Sequence, residues 1–361
     1  MEYRHYITFA IAFITLQLLV LNFSRTIGWL GNLSDKKRKI VTFTSYLLAN
    51  GLIFLQFFKT FQSFRFVAFI LAFLTFIFFV RLGTMLIYTF GKLIIPVDRL
   101  NKWLKIAYLP VLAGLMALTI YNAYVPKVIH YQITLDKPIS PLRIGVASDF
   151  HLGKFFGATQ LDKLAKIFNQ EKVDLILLPG DIMDDNVSAY VAENMQPHLA
   201  KLKAPLGVYA TLGNHDFLGA QNAIAEEIRK AGITVLWDQA VEIEGKFTII
   251  GRNDDLVKNR PSTEQLLKGL NTTLPIFLLD HRPTQIEEHS KLPIDIQVSG
   301  HTHKGQIFPA NIVTSLMYRL DYGYEKIENG HFFVTSGYGF WGIPMRLGSQ
   351  SEVLIIDVKG K

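Results

Sequence analysis

"LRIGVASDFH", residues 142–151, is the stretch on which the fold turns. Its first half is a short run of the kind that forms a buried strand, and its second half stops on Asp149 and His151. The same grammar recurs downstream. "DLILLPGDIMD" (174–184) is a strand closed by Gly180, Asp181 and Asp184, and "GVYATLGNHD" (207–216) is a strand closed by Gly213, Asn214, His215 and Asp216. Between these strands, "TQLDKLAKIFNQ" (159–170) places apolar residues at three- and four-residue spacing, as a helix would. "SAYVAENMQPHLAKL" (188–202) is broadly helical despite Pro197, and "NAIAEEIRKAG" (222–232) is a helix closed by a glycine. That order predicts an α/β domain with a mostly parallel sheet and helices on its faces. Later runs, "FTIIG", "IFLLD", "DIQVS", "HFFVTS" and "EVLIIDV", are strand-rich, and a two-sheet core flanked by helices accommodates both portions.

Polar residues gather just after the predicted strands. "LLDH" ends on His281, and "SGHTHKGQ" (299–306) sets His301 and His303 either side of Thr302. In extended backbone those two imidazoles point the same way, which suggests a shared metal, although such a pair alone is commonplace. The carboxyl ends of parallel strands converge on one crevice, so distant segments can build one site. Five of the ten histidines fall in these turns, and glycines precede Asp181, Asn214 and His301, where tight turns near an ion need them.

In chain order the motifs are D-x-H, G-D-x-x-D, G-N-H-D, a later lone histidine and G-H-x-H. This set resembles the calcineurin-like metallophosphoesterase superfamily over about residues 142–357. "GHTHKGQIFP" and "SGYGFWGIPMRLG" are further similar to its membrane-attached bacterial branch, with Lys304 standing where that branch would carry a glycine. The resemblance implies a two-sheet αββα sandwich and two divalent metal ions that share Asp181. Asp149, His151 and His303 would complete one metal site, and Asn214, His281 and His301 the other. Carboxylate, amide and imidazole ligands suit manganese, iron or zinc. Such a pair lowers the pKa of a bridging water and clamps a phosphoryl oxygen. His215 would act as general acid toward the leaving alkoxide, with Asp184 orienting its ring. Asp216 either caps its turn or assists His215. Arg346 is a candidate for binding substrate phosphate. Tyr322, Tyr324, His331 and Trp341 are candidates for lining the mouth, and His5, His130, His198 and His289 are expected to be structural.

The first third of the chain is different in kind. Residues 1–140 hold fifteen Lys and Arg against four Asp and Glu, about +11, and the remainder is about −4, so the basic balance lies in the N-terminal part alone. That argues for loops on a membrane domain and against a nucleic-acid partner. Apolar segments at 6–23, 40–58, 66–95 and 106–125 predict an all-α transmembrane domain of about four helices over 1–125. The first reads as a retained helix and not as a signal peptide, because no small-x-small cleavage site follows it. Residues 126–141 read as linker and first strand, and 142–361 as the metallophosphoesterase domain. With four spans, loops 24–40 and 92–105 share one side and carry nine basic residues against three opposite, which predicts a multi-pass inner-membrane protein with its catalytic domain outside the cytoplasm. Splitting 66–95 into two spans would reverse that orientation, with a basic split of seven against six. Arg81, within an apolar span, is expected to snorkel or to pair between helices. The absence of cysteine excludes disulfides, thiolate ligands and cysteine nucleophiles.

The expected function is a membrane-anchored, dinuclear-metal phosphohydrolase acting on a phosphorylated lipid or cell-envelope substrate, whether diester, monoester or pyrophosphate. Two alternatives stand beside it. One is a cytoplasm-facing hydrolase like a UDP-diacylglucosamine pyrophosphatase, and the other is a non-catalytic, metal-stabilised sensory module.

Overall fold

The computed structural model describes residues 2–55, 64–218 and 220–361. The chain divides into two compact units, Met1–Thr119 and Ile120–Lys361, with the division inside the fourth helix.

The first unit is helical. It holds α1 (Glu2–Leu30), α2 (Asp35–Leu55), α3 (Phe64–Gly91) and most of α4 (Val97–Tyr124). Among the described residues three stretches are long and apolar enough to cross a membrane: Ala12–Leu30, Arg65–Gly91 and Val97–Tyr124. α2 opens on the charged run "DKKRK", and the end of the expected second span, 56–58, lies outside the described residues. Residues 64–91 form one continuous helix, with no break of the kind a fifth span would need. Polar groups here find each other. The amides of Gln17 and Asn50 exchange hydrogen bonds of 3.0 and 3.1 Å between α1 and α2. The Arg81 guanidinium lies 4.4 Å from the centre of the Trp29 ring, a cation–π pair between helices.

The second unit is a sandwich. Its strands are β1 (Lys127–Leu135), β2 (Leu142–Val146), β3 (Leu175–Pro179), β4 (Val208–Thr211), β5 (Thr234–Val235) and β6 (Gln239–Ile243). They continue with β7 (Phe247–Gly251), β8 (Ile276–Leu279), β9 (Ile296–Ser299), β10 (Gly323–Ile327), β11 (Gly330–Val334) and β12 (Glu352–Gly360). One sheet runs β1-β12-β2-β3-β4-β5 and the other β10-β11-β9-β8-β7-β6. β2 to β5 are parallel, as are β7, β8, β9 and β11, while β12, β6 and β10 run antiparallel to their neighbours β2, β7 and β11. The sheets are therefore mixed, and their antiparallel members come late in the chain or at an edge.

Strand alternation builds the layers. Ile144, Val146, Leu175, Leu177, Phe277, Leu279 and Val298 fill the space between the sheets. Ile176, Leu178 and Ala210 point the other way, under α5 (Ala158–Glu171) and α9 (Gln221–Lys230), through Leu164, Phe168, Ile224 and Ile228. α5 packs tightly at Gly145, where a side chain would collide with the Phe168 ring. The helix expected over 188–202 is instead two short ones, α6 (Ser188–Ala192) and α7 (Gln196–Leu199). Asn194 takes a left-handed backbone between them, and Pro197 starts the second helix, because its ring is tolerated in a first turn and not in a helix interior. The remaining helices are α8 (Asn214–Phe217), α9 (Gln221–Lys230), α10 (Thr263–Leu267), α11 (Ile286–His289) and α12 (Ala310–Met317).

Candidate metal centre

Each candidate ligand stands just beyond the carboxyl end of a strand: Asp149 and His151 after β2, Asp181 after β3, Asn214 after β4, His281 after β8, and His301 with His303 after β9. The structure brings the carboxylates and imidazoles into two adjoining groups. Asp149, His151 and His303 form one, and Asp181, His281 and His301 the other. One oxygen of Asp181, Oδ2, lies 3.7 Å from His151 Nε2 and 3.1 Å from His281 Nε2, so a single carboxylate reaches both groups. His151 Nε2 and His303 Nε2 face each other at 3.1 Å, and His303 Nε2 is 3.5 Å from Asp149 Oδ1.

The expectation that His301 and His303 project side by side from extended backbone is corrected. β9 ends at Ser299, and both histidines have left-handed backbone, with φ of 71° and 48°. The turn sends His301 toward His281 and His303 toward His151, one to each group. Of the preceding glycines, Gly180 has φ +90°, while Gly213 and Gly300 serve by being small. A side chain on either would strike the carboxylate of Asp181 or of Asp149.

The donor set fits cations. Asn214 Oδ1 and His281 Nε2 are buried without a hydrogen bond, although His281 Nε2 is close to Asp181. Close approach without hydrogen-bond alignment is what atoms aimed at a common ion show, and an unpaired buried polar atom is otherwise costly. His281 Nδ1 donates to Pro179 O at 2.8 Å, so Nε2 is the nitrogen that faces Asp181 and that would meet a cation once its proton is lost. Burial keeps His151 and His301 neutral, each lowered to about 3, and drives His303 well below its usual range. Burial raises Asp149 to about 6. Burial opposes ionisation of Asp181 too, but His281 outweighs it and holds that carboxyl below the ordinary range, while His281 itself is raised to about 10.

His215 sits beside this centre, its ring 4.9 Å from that of His151. Its backbone N–H donates to Asp181 Oδ1 at 2.8 Å. Asp184 lies in the same cluster as His215, but the contact of 2.6 Å to His215 Nδ1 comes from Asp185, which sequence reasoning missed. "MDD" offered two adjacent carboxylates, and no spacing rule chooses between them. Asp216 is a buried clamp that accepts from Gly213 N, Ile182 N and Met183 N at 3.0, 3.1 and 2.9 Å, tying the Asp181 turn to the Asn214 turn.

Arg346 is corrected from its expected substrate role. It is 0 % exposed, and its Nη2 donates to Gly339 O at 2.6 Å and to Ser336 O at 2.7 Å and lies 3.1 Å from His303 Nδ1. A guanidinium has no acceptor, and one committed to carbonyls inside the protein is a scaffold for His303. Tyr324 and His331 are paired with each other on β10 and β11 at 2.9 Å. Tyr322 donates to Glu352 and carries Lys304 Nζ 3.9 Å above its ring. Trp341, 6.0 Å from the His215 ring, is at the site. His289 is a satisfied core residue between Gln297 and Thr263, whereas His130 and His198 pair with Glu171 and Asp162.

The calcineurin-like phosphoesterase family profile matches residues 142–305. An uncharacterized metallophosphoesterase of Aquifex aeolicus is 34 % identical over 251 residues, which cover 66 % of this chain and 94 % of that protein. This chain belongs to the calcineurin-like metallophosphoesterases. An uncharacterized Helicobacter pylori (strain ATCC 700392 / 26695) metallophosphoesterase is 30 % identical over 272 residues, covering 73 % of this chain and 72 % of that protein. A Danio rerio transmembrane protein with metallophosphoesterase domain is 31 % identical over 253 residues, covering 65 % and 57 %. Among solved structures, a 5'-nucleotidase precursor from Thermus thermophilus is similar with TM-score 0.38 and 17 % identity, covering 60 % of this chain and 55 % of that one. The chain is thus a phosphoester hydrolase of this family, and its apolar helices make it a membrane protein.

Proposed function

We propose that this metallophosphoesterase hydrolyses a phosphoester of a lipid-linked or cell-envelope substrate outside the cytoplasm, through two divalent cations held by Asp149, His151, His303 and Asp181 on one side and Asp181, Asn214, His281 and His301 on the other. The observation that carries the reading is Asp181 Oδ2, within reach of histidines from both groups, together with the buried, unpaired Asn214 Oδ1. When bound, the cations supply the charge that orients the phosphoryl group and makes water nucleophilic at neutral pH. The chain's own residues do the rest. Asp185 holds the His215 ring by Nδ1, which leaves Nε2 as the atom that hands a proton to the leaving alkoxide. The His215 backbone N–H to Asp181 ties that acid to the shared carboxylate. Arg346 ties together the Ser336 and Gly339 carbonyls behind the His303 ring.

The nine-to-three distribution of basic loop residues supports an extracytoplasmic catalytic domain, and the unbroken α3 supports it over the five-span alternative. A membrane-anchored enzyme meets lipid-borne phosphates more often than soluble ones, which is the basis for the substrate class.

The test is turnover of bis-p-nitrophenyl phosphate and p-nitrophenyl phosphate by the purified full chain with manganese, with and without chelator. His215→Ala should retain its metal and lose about 10²- to 10⁴-fold in kcat. A chain that binds two metals yet turns over neither ester, with His215→Ala indistinguishable from it, would point to a sensory module.

A further inference from the structure

α12 is built inside out. Its four large apolar side chains, Ile312, Val313, Leu316 and Met317, fall on one face and are 48, 54, 83 and 68 % exposed. The inward positions hold Asn311, Thr314 and Tyr318 instead. Thr314 Oγ1 donates to Asp321 Oδ2 at 2.7 Å, and Asp321 O accepts from Thr302 Oγ1 at 2.7 Å, so the helix is fastened to the His301–His303 turn by polar contacts. The Tyr318 ring stands 6.1 Å from that of His301. Gly305 lets the turn come hard against the start of the helix, where any side chain would meet the backbone of Asn311. A surface helix of a soluble domain carries the opposite pattern, apolar inward and polar outward. Four apolar residues presented together beside a catalytic centre mark an interaction surface.

What covers this face follows from where the chain enters the domain. α4 ends at Tyr124 and β1 begins at Lys127, so two residues separate the last apolar helix from the sheet. β1 runs parallel to β12, and β12 antiparallel to β2, with Lys127 beside Glu352 and Leu354 beside Val146. The start of β1 is therefore at the carboxyl end of β2, the metal-bearing edge. The last turn of α4 is fixed there by the Tyr124 hydroxyl, which donates to Phe155 O at 2.9 Å, and by its ring, which stacks on Phe156 at 6.4 Å. So the connection to the membrane and the apolar face of α12 belong to one edge of the sandwich.

We propose that α12 is a lipid-contacting element whose Ile312, Val313, Leu316 and Met317 enter the interfacial layer of the bilayer that holds the chain. Interfacial helices bind in this way, with an apolar face among the acyl chains and the remainder among head groups. The consequence, that the metal centre opens onto lipid phosphates and not onto bulk solvent, rests on the phosphohydrolase reading. The insertion itself does not.

The chain has no cysteine, so single-cysteine labelling reads each position directly. Leu316→Cys and, as control, Lys246→Cys in the exposed β6–β7 turn would carry an environment-sensitive fluorophore in the full chain. Each is placed in nanodiscs of phosphatidylethanolamine and phosphatidylglycerol, one copy per disc, with doxyl-labelled lipid as membrane quencher and iodide as aqueous quencher. The expected result is blue-shifted emission at 316 and doxyl quenching roughly threefold or more above that at 246, with iodide showing the reverse order. Equal access of iodide to both labels would overturn the proposal. So would a label at 316 shielded from iodide and doxyl alike, which would mean protein covers the face. Turnover of bis-p-nitrophenyl phosphate in the same discs is a separate reading, and its absence would sink the phosphohydrolase while leaving the quenching result intact.

Discussion

Five of the seven candidate ligands, Asp149, His151, Asp181, His301 and His303, have φ between 48° and 71°. Non-glycine residues take that region at a cost of order 1 kcal/mol or more each, so the fold maintains the strain because the turns aim these side chains inward. Protonation opposes the same use of the side chains. Cation binding needs Asp149 ionised and His281 stripped of its proton, while burial raises the first to about 6 and Asp181 raises the second to about 10. Both groups hold protons more tightly than ordinary ones, so loading a metal expels protons and affinity climbs with pH. Metal per chain, measured by mass spectrometry after equilibration with limiting manganese, should fall steadily from pH 8 to pH 5. Asp185→Asn keeps the ligands but weakens the hold on His215, and should lower kcat roughly tenfold, less than His215→Ala, with metal content unchanged. Arg346→Met leaves the Ser336 and Gly339 carbonyls behind His303 unpaired and should weaken metal binding about 10- to 100-fold, as loss of groups behind a ligand does.

At the scale of elements, the site depends on strands being held in register by the helices above them. Phe168 of α5 is buried against β2 at Gly145, the strand that delivers Asp149 and His151. Phe168→Ala would leave a cavity under that strand and cost about 3–5 kcal/mol of stability, read as a lowered midpoint in chemical denaturation of the full chain in detergent. The strands and the longer helices α5 and α9 were legible because their apolar periods are clean. The segment 188–202 was not, because a left-handed residue at Asn194 and a proline at a helix start look the same in sequence as an interrupted long helix. α12 was not legible either. Its apolar residues in "ANIVTSLM" would ordinarily be assigned to a core, and only the folded chain has them facing out.

At the scale of the whole molecule, the predicted orientation can be read with a reporter fused after Lys361. Alkaline phosphatase there should be active and a green fluorescent protein dark, and the reverse pattern would favour a cytoplasmic domain. The D-x-H, G-D-x-x-D, G-N-H-D and G-H-x-H motifs, each after a strand, were enough to carry the resemblance to the family, and that resemblance implied the two-sheet sandwich and the seven ligand candidates, because strand periodicity and motif chemistry are local properties. Charge and hydropathy likewise marked the N-terminal membrane region. Tertiary structure alone decided that Asp185 holds His215, that Arg346 is sealed inside and that α12 turns its apolar face outward. Those outcomes depend on where turns aim side chains from separate segments, such as His215 and Asp185, and no local pattern carries that information.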